Sequence, residues 1–310
     1  MPDHAHDLMF SGSGHGPVGT VTRGTTGVNR LRRADRWMVH SPAIRRTLHA
    51  VSSPLAVDVG YGAAWWTTVE WATRLRSVAP SVTVVGLEID PSRIQPDRDG
   101  VHFELGGFEL AGYRPNIVRA FNVLRQYSVT QVTEAWDMVC SRLAPGGLFV
   151  EGTCDELGRI GSWITLSAAG PVSLTLCIDS AQLANPTPAG SSPSDTHASR
   201  SARGLQAKPS IVAERLPKVL IHRNVPGEPI HELVVAMDRA WDAAAPFAPY
   251  GPRYRWREAV RILSTTWPVE GLSIPAGSRP PITTSTSPVG YTLPRAQRDC
   301  ILTVPWAAVS

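Results

Sequence analysis

The run LAVDV at 55–59 is apolar enough to be a strand buried on both faces, and it leads directly into Gly60-Tyr61-Gly62 and a helix-like segment beginning near Trp65. A strand of that kind belongs to a parallel sheet with helices above and below it. A glycine turn between such a strand and a helix lets backbone N–H groups and the helix N-terminus approach a ligand closely. A phosphate-binding loop would continue with Gly-Lys-Ser/Thr, but the only lysines are Lys208 and Lys218. A dinucleotide fingerprint wants Gly or Ala where Trp65 stands and an apolar residue where Asp58 ends the strand. Asp58 instead favours a cationic ligand, because a carboxylate beside the loop can hold an ammonium group by charge-assisted hydrogen bonds.

The same alternation continues along the chain. A helix is expected from about Trp65 to Val78, stopped by Pro80, and VTVVGLEI, VHFEL, NIVRAF and LAPGGLFVEG supply four more strands, with a helix at about 133–143 between the last two. GSWITL and VSLTLCI flank the turn-rich SAAGP and read as an antiparallel pair. Helices follow at about 211–222, 228–245 and 254–264, and CILTVPWAAV can add a last strand. The expected fold is α/β: an open, mostly parallel twisted sheet with helices on both faces, antiparallel strands at one edge and a helical C-terminal appendage. Residues 1–28, rich in Gly, His, Ser and Thr without an apolar period, are expected to be a disordered arm. Residues 29–180 are expected to form the cofactor-binding domain, opened by a peripheral arginine-rich helix at 29–48. The Pro/Ser/Gly-rich 181–210 is expected to be a disordered loop, and 211–310 to complete the same domain.

Taken in order, the motifs resemble those of the class I, Rossmann-like S-adenosylmethionine-dependent methyltransferases. Asp58, Gly60 and Gly62 match that family's first motif around Tyr61, with Ala64 where a third glycine often stands. Glu88, followed by Ile89, falls where the family places an acid whose two oxygens accept the ribose hydroxyls. GGFEL at 106–110 falls at the adenine-contacting turn; Gly107 replaces the usual Asp, so the resemblance implies adenine recognition through backbone groups and Phe108. The likeness runs from Leu55 to Gly152, roughly a third of the chain. It implies S-adenosyl-L-methionine as cofactor and methyl transfer to an O, N or C acceptor on a small molecule. With the methionine end at Asp58 and the ribose at Glu88, the reactive methyl points toward the fourth strand, which makes Asn122, Asp155 and His222 the acceptor-side candidates. Asn122 either orients the acceptor or caps the following helix. Asp155 and His222 either take a proton or serve only as a solvated loop residue and a packing or capping group.

A net charge of +4 and a pI near 9.1 would ordinarily raise nucleic acid as a partner. The near absence of lysine points to codon bias rather than a phosphate-binding surface. A nucleic-acid methyltransferase stays open through Arg30, Arg32, Arg33, Arg36, Arg45 and Arg46, and so does a non-catalytic module that keeps the fold. Four widely spaced cysteines give no metal-binding pair. The opening MPDHAHDLMF lacks the basic and then apolar pattern of a secretion signal, and the expectation is a cytoplasmic protein with no membrane partner.

Overall fold

The computed structural model describes residues 16–21, 26–184, 207–270 and 300–310. Most of the loop expected at 181–210, most of the arm expected at 1–28, and residues 271–299 lie outside the described residues. Eight strands form one sheet in the order β3-β2-β1-β4-β5-β6-β7-β8. They are β1 (Leu55–Val59), β2 (Thr83–Glu88), β3 (Val101–Leu105), β4 (Ile117–Phe121), β5 (Leu148–Cys154), β6 (Ile160–Ser167), β7 (Gly170–Ile178) and β8 (Ile301–Pro305). The first five pair in parallel, and β5 to β8 pair antiparallel as successive neighbours. This is the open, mostly parallel sheet with an antiparallel edge expected from the strand runs.

Strand alternation divides the core. Ala56, Val84, Ile117 and Val150 face α1 (Arg32–His40), α2 (Pro42–His49) and α3 (Trp66–Arg76). Their neighbours Val57, Val85, Val118 and Phe149 face the opposite layer. That layer contains α4 (Val129–Ser141), α6 (Lys218–Ile221), α7 (Pro229–Ala243) and α8 (Pro252–Leu263); the short α5 (Ser180–Ala184) follows β7. The C-terminal helices therefore cover one face of the sheet. In α7 the stripe Ile230, Leu233, Val234, Met237 and Trp241 is buried, as its spacing requires.

Three boundaries differ from the sequence reading for local reasons. The helix expected over 29–48 is two helices, because Ser41 before Pro42 takes extended backbone (φ −65°, ψ 123°). The α4 helix begins at Val129 rather than near Thr133, where Ser128 and Gln131 form a reciprocal capping box. The helix expected at about 211–222 is a 3-10 turn at Pro209–Arg215 and the separate α6, divided at Leu216-Pro217. Among the described residues no helix is long and apolar enough to cross a membrane.

Candidate functional site

Between β1 and β4 the strand order reverses direction, and ligands of open α/β sheets bind outside the carboxyl ends of strands at such a switch point. The ground under this point is a buried ion cluster. Asp58 on β1 and Arg119 on β4 are register partners, 3% and 0% exposed. Arg119 donates to both Asp58 oxygens, through Nε at 2.9 Å and through Nη2. It also donates to Asp35 Oδ1 on α1 at 2.6 Å and to the Thr67 carbonyl at 3.1 Å, with its guanidinium carbon 4.4 Å from the Trp71 ring centroid. Thr68 Oγ1 donates to Asp58 at 2.8 Å, and Arg74 reaches Asp35 at 3.2 Å. Burial pushes the Asp35 carboxyl up to about 6 against the pull of Arg119 and Arg74. The acid of the glycine motif is thus committed to the fold: its carboxylate fixes the end of β1 from which the loop springs.

The loop is glycine for steric reasons. Gly60 and Gly62 have φ of 67° and 85°, and a Cβ on Gly60 would stand 2.8 Å from Val123. The fully buried Glu88 anchors it from β2, accepting from Gly62 N–H at 2.9 Å, from Ile89 N–H at 3.0 Å and from Asp90 N–H at 3.3 Å. Tyr61 packs edge-on against Phe103 and donates its hydroxyl to the Arg93 carbonyl. Burial, reinforced by Glu88 and Asp58, pushes that phenol up to about 12, so it stays protonated.

Two clefts meet at Gly60. The first, about 470 Å³ counting the space open to solvent, is bounded by Asp58, Gly60, Tyr61 and Gly62 from the β1 end, by Phe121 and Asn122 from the β4 end, and by Thr26, Arg30 and Leu31. The second, about 260 Å³, lies on the β2–β3 side against Glu88, Ile89, Gly107 and Phe108. All eight residues singled out for the cofactor, Asp58, Gly60, Tyr61, Gly62, Glu88, Ile89, Gly107 and Phe108, line one or both.

The second cleft is partly filled by the chain's own N-terminal region. Val18 N–H donates to Glu109 Oε2 at 2.6 Å, Phe108 N–H donates to the Val18 carbonyl at 2.9 Å, and Thr20 N–H donates to the Tyr127 hydroxyl. Gly107 has no room for a side chain, since a Cβ there would lie 2.1 Å from the Val18 oxygen. Glu109 Oε1 accepts from Gly107 N–H at 2.7 Å, which folds its carboxylate back over the turn. Two successive residues after it, Leu110 and Ala111, carry φ of 57° and 49°. Left-handed backbone at non-glycine residues is uncommon and collects at ligand-binding turns.

The acceptor-side candidates are not gathered in one place. Asn122 lines the first cleft with φ 63°, but its amide is spent across β4 and β5: Oδ1 accepts from Cys154 N–H at 2.9 Å and Nδ2 lies 3.4 Å from Cys154 Sγ. It caps no helix; α4 is capped by Ser128. Asp155 organises the β5–β6 turn by accepting from the N–H groups of Arg159 and Ile160. His222 is exposed at the end of α6. Neither lines the two clefts. Trp65 is engaged by Trp66 and by Arg98, whose guanidinium carbon is 4.3 Å from its ring centroid. Two arginines of the 29–48 segment are also tied to the β5–β6 turn: Arg30 donates to the Asp155 carbonyl, and Arg33 donates to the Gly158 carbonyl and pairs with Asp179 at 2.7 Å. The sequence reading missed Arg119, Glu109 and Val18. Arg119 carried a signal, an arginine in the middle of the otherwise apolar strand run IVRAF.

No protein-family model and no curated protein matches the chain. Parts of solved methyltransferase structures are similar to it. The cyclopropane synthase MmaA2 from Mycobacterium tuberculosis is 15% identical over 34% of this chain and 40% of its own, with a TM-score of 0.27. Human N-acetylserotonin methyltransferase, solved with SAM, is 17% identical over 42% of each chain, with a TM-score of 0.27. The mitomycin 7-O-methyltransferase MmcR is 12% identical over 38% of this chain and 36% of its own, with a TM-score of 0.27. The chain spans less than half the length of each.

Proposed function

We propose that the chain is an S-adenosylmethionine-dependent methyltransferase acting on a small molecule. The observation that carries this reading is the pair of clefts joined at Gly60 on the sheet's switch point, one lined by Asp58, Gly62 and Asn122 and the other by Glu88, Gly107 and Phe108, with Val18 to Thr20 lying in the second. The residues fit such a ligand. Gly60, Gly62 and Gly107 keep side chains out of its path. A carboxylate offers about four acceptor positions; three at Glu88 are taken by N–H groups, which leaves one for a ribose hydroxyl. Phe108 N–H and Glu109 are placed for an adenine edge.

The bound cofactor supplies an electrophilic methyl group. The protein's share is positioning. The Asp58–Arg119 cluster fixes the floor, Glu88 holds the loop, and Asn122 clasps the ends of β4 and β5 beside the first cleft. No proton transfer is assigned to Asp155 or His222, which stand away from the cleft lining. A small acceptor is favoured over nucleic acid because the cleft is modest and Arg30 and Arg33 are used within the fold. A second reading, a non-catalytic binding module, draws support from the neutralisation of Asp58 by Arg119.

A thermal-shift panel tests the ligand class. S-adenosylhomocysteine and S-adenosylmethionine at large excess should each raise the melting temperature by several degrees, with NAD and ATP giving no comparable rise. A rise with NAD and none with S-adenosylhomocysteine would contradict the reading. Release of label from methyl-labelled cofactor to a small acceptor separates the enzyme from the module.

A further inference from the structure

We propose that the N-terminal segment at 16–21 is an internal competitor for the adenine position, docked through the backbone of Val18, and that adenine-bearing ligands bind by displacing it. The inference rests on the cofactor reading above. One peptide unit of a chain has one donor and one acceptor, and Val18 uses both on a single turn: its N–H meets the Glu109 carboxylate and its carbonyl meets Phe108 N–H. The adenine edge presents the same pair side by side, an amino N–H and a ring-nitrogen acceptor. A carboxylate and an N–H set close together on one turn can therefore be satisfied by either occupant, but not by both at once.

Three further observations support exclusion. The Val18 oxygen occupies the space that Gly107 leaves open, at a distance no side-chain atom could share. Gly19 lies against Ile89 and Phe108, walls of the same cleft, so the segment also covers the apolar surface a base would use. Beyond Val18 the segment is held by Thr20 N–H on the Tyr127 hydroxyl and by Gln126 Nε2, which donates to the Thr20 and Val21 carbonyls at 3.2 and 3.3 Å. A short strap fixed mainly by backbone hydrogen bonds, each worth about 0.5–1.5 kcal/mol net, can be exchanged for a ligand at modest cost. Glu109 is held independently of Val18, because its Oε1 accepts from Gly107 N–H at 2.7 Å and from Ala111 N–H at 3.4 Å.

The consequence is a lowered apparent affinity: a ligand that binds only strap-free molecules loses affinity in proportion to the fraction of molecules in which the strap is undocked. The test uses the full chain, with S-adenosylhomocysteine as probe, and compares the wild type with Val18→Pro, which removes the N–H donated to Glu109 and leaves the core untouched. The variant should bind about tenfold more tightly, as expected if the strap is docked in about nine molecules in ten. In the wild type, amide exchange at Val18 and Thr20 should accelerate when the probe saturates the site. If the probe binds but those amides stay protected, and Val18→Pro binds no more tightly, the strap is a wall of the site and the inference fails while the cofactor reading stands. If neither protein binds the probe, both fail. Binding by Val18→Pro alone would support both.

Discussion

Arg119→Met should destabilise the protein by about 3–5 kcal/mol, the range typical of removing one partner from a buried ion pair. The methionine fills comparable space, so the loss is electrostatic: Asp35 and Asp58, 0% and 3% exposed, would each be left without their main counter-charge. The variant should recover stability as pH falls toward 5, because the Asp35 carboxyl, already pushed up to about 6 by burial, is then protonated in the folded state. Asp35→Asn and Asp58→Asn, added to Arg119→Met, should restore most of the loss at neutral pH, since replacing a whole buried ion cluster by neutral groups is far less harmful than breaking it. Chemical denaturation of the single and triple variants at pH 5 and pH 7.5 measures this. A loss below about 1 kcal/mol in the single variant, comparable to an exposed pair, would show that the cluster is not the floor of the site. The same logic applies to Asp58→Ala, which should unseat the glycine loop along with any ligand.

Glu151 should give the protein an unusual pH dependence. It lies on β5 between two strands, 3% exposed, with Oε2 lacking any hydrogen-bond partner. Burial pushes its carboxyl up to about 8 from an ordinary 4.5. The folded state therefore keeps the proton through a window in which the unfolded chain has released it. Stability contributed by this group is fully present below about 4.5 and is lost as pH rises toward about 8, at up to about 1.4 kcal/mol per pH unit. Glu151→Gln should flatten that slope. The variant should match the wild type at about pH 4 and exceed it by a few kcal/mol, on the order of magnitude of this linkage, at about pH 8. Parallel stability curves for the two proteins would mean that Glu151 finds a partner or water in solution.

Much of the sheet was legible because its signals are local. Apolar runs closed by glycine or proline give strands, and the periodicity of Ile230, Leu233, Met237 and Trp241 gives a buried helix face. The loop at Gly60 and the acid at Glu88 were legible from order and spacing. What stayed hidden depends on pairing across the sheet or on backbone alone. Asp58 read as a ligand group because its counter-ion, Arg119, is distant in sequence and becomes its neighbour only in the β1–β4 register. Position 107 read as lacking a carboxylate because the one that serves the turn comes from Glu109, folded back by a backbone turn that LAG at 110–112 does not announce. Residues 16–21 read as part of a mobile arm because composition reports apolar burial, whereas Val18 is held through its peptide group.

The central claim is that one adenosine-containing ligand spans the two clefts across Gly60, and calorimetry with S-adenosylhomocysteine tests it most directly. The wild type should bind one molecule per chain. Glu88→Ala, shown by circular dichroism to keep its fold, should bind at least about tenfold more weakly, the equivalent of one hydrogen bond to a charged group. Absence of binding by the wild type, or unchanged affinity in the folded Glu88→Ala protein, would contradict the account.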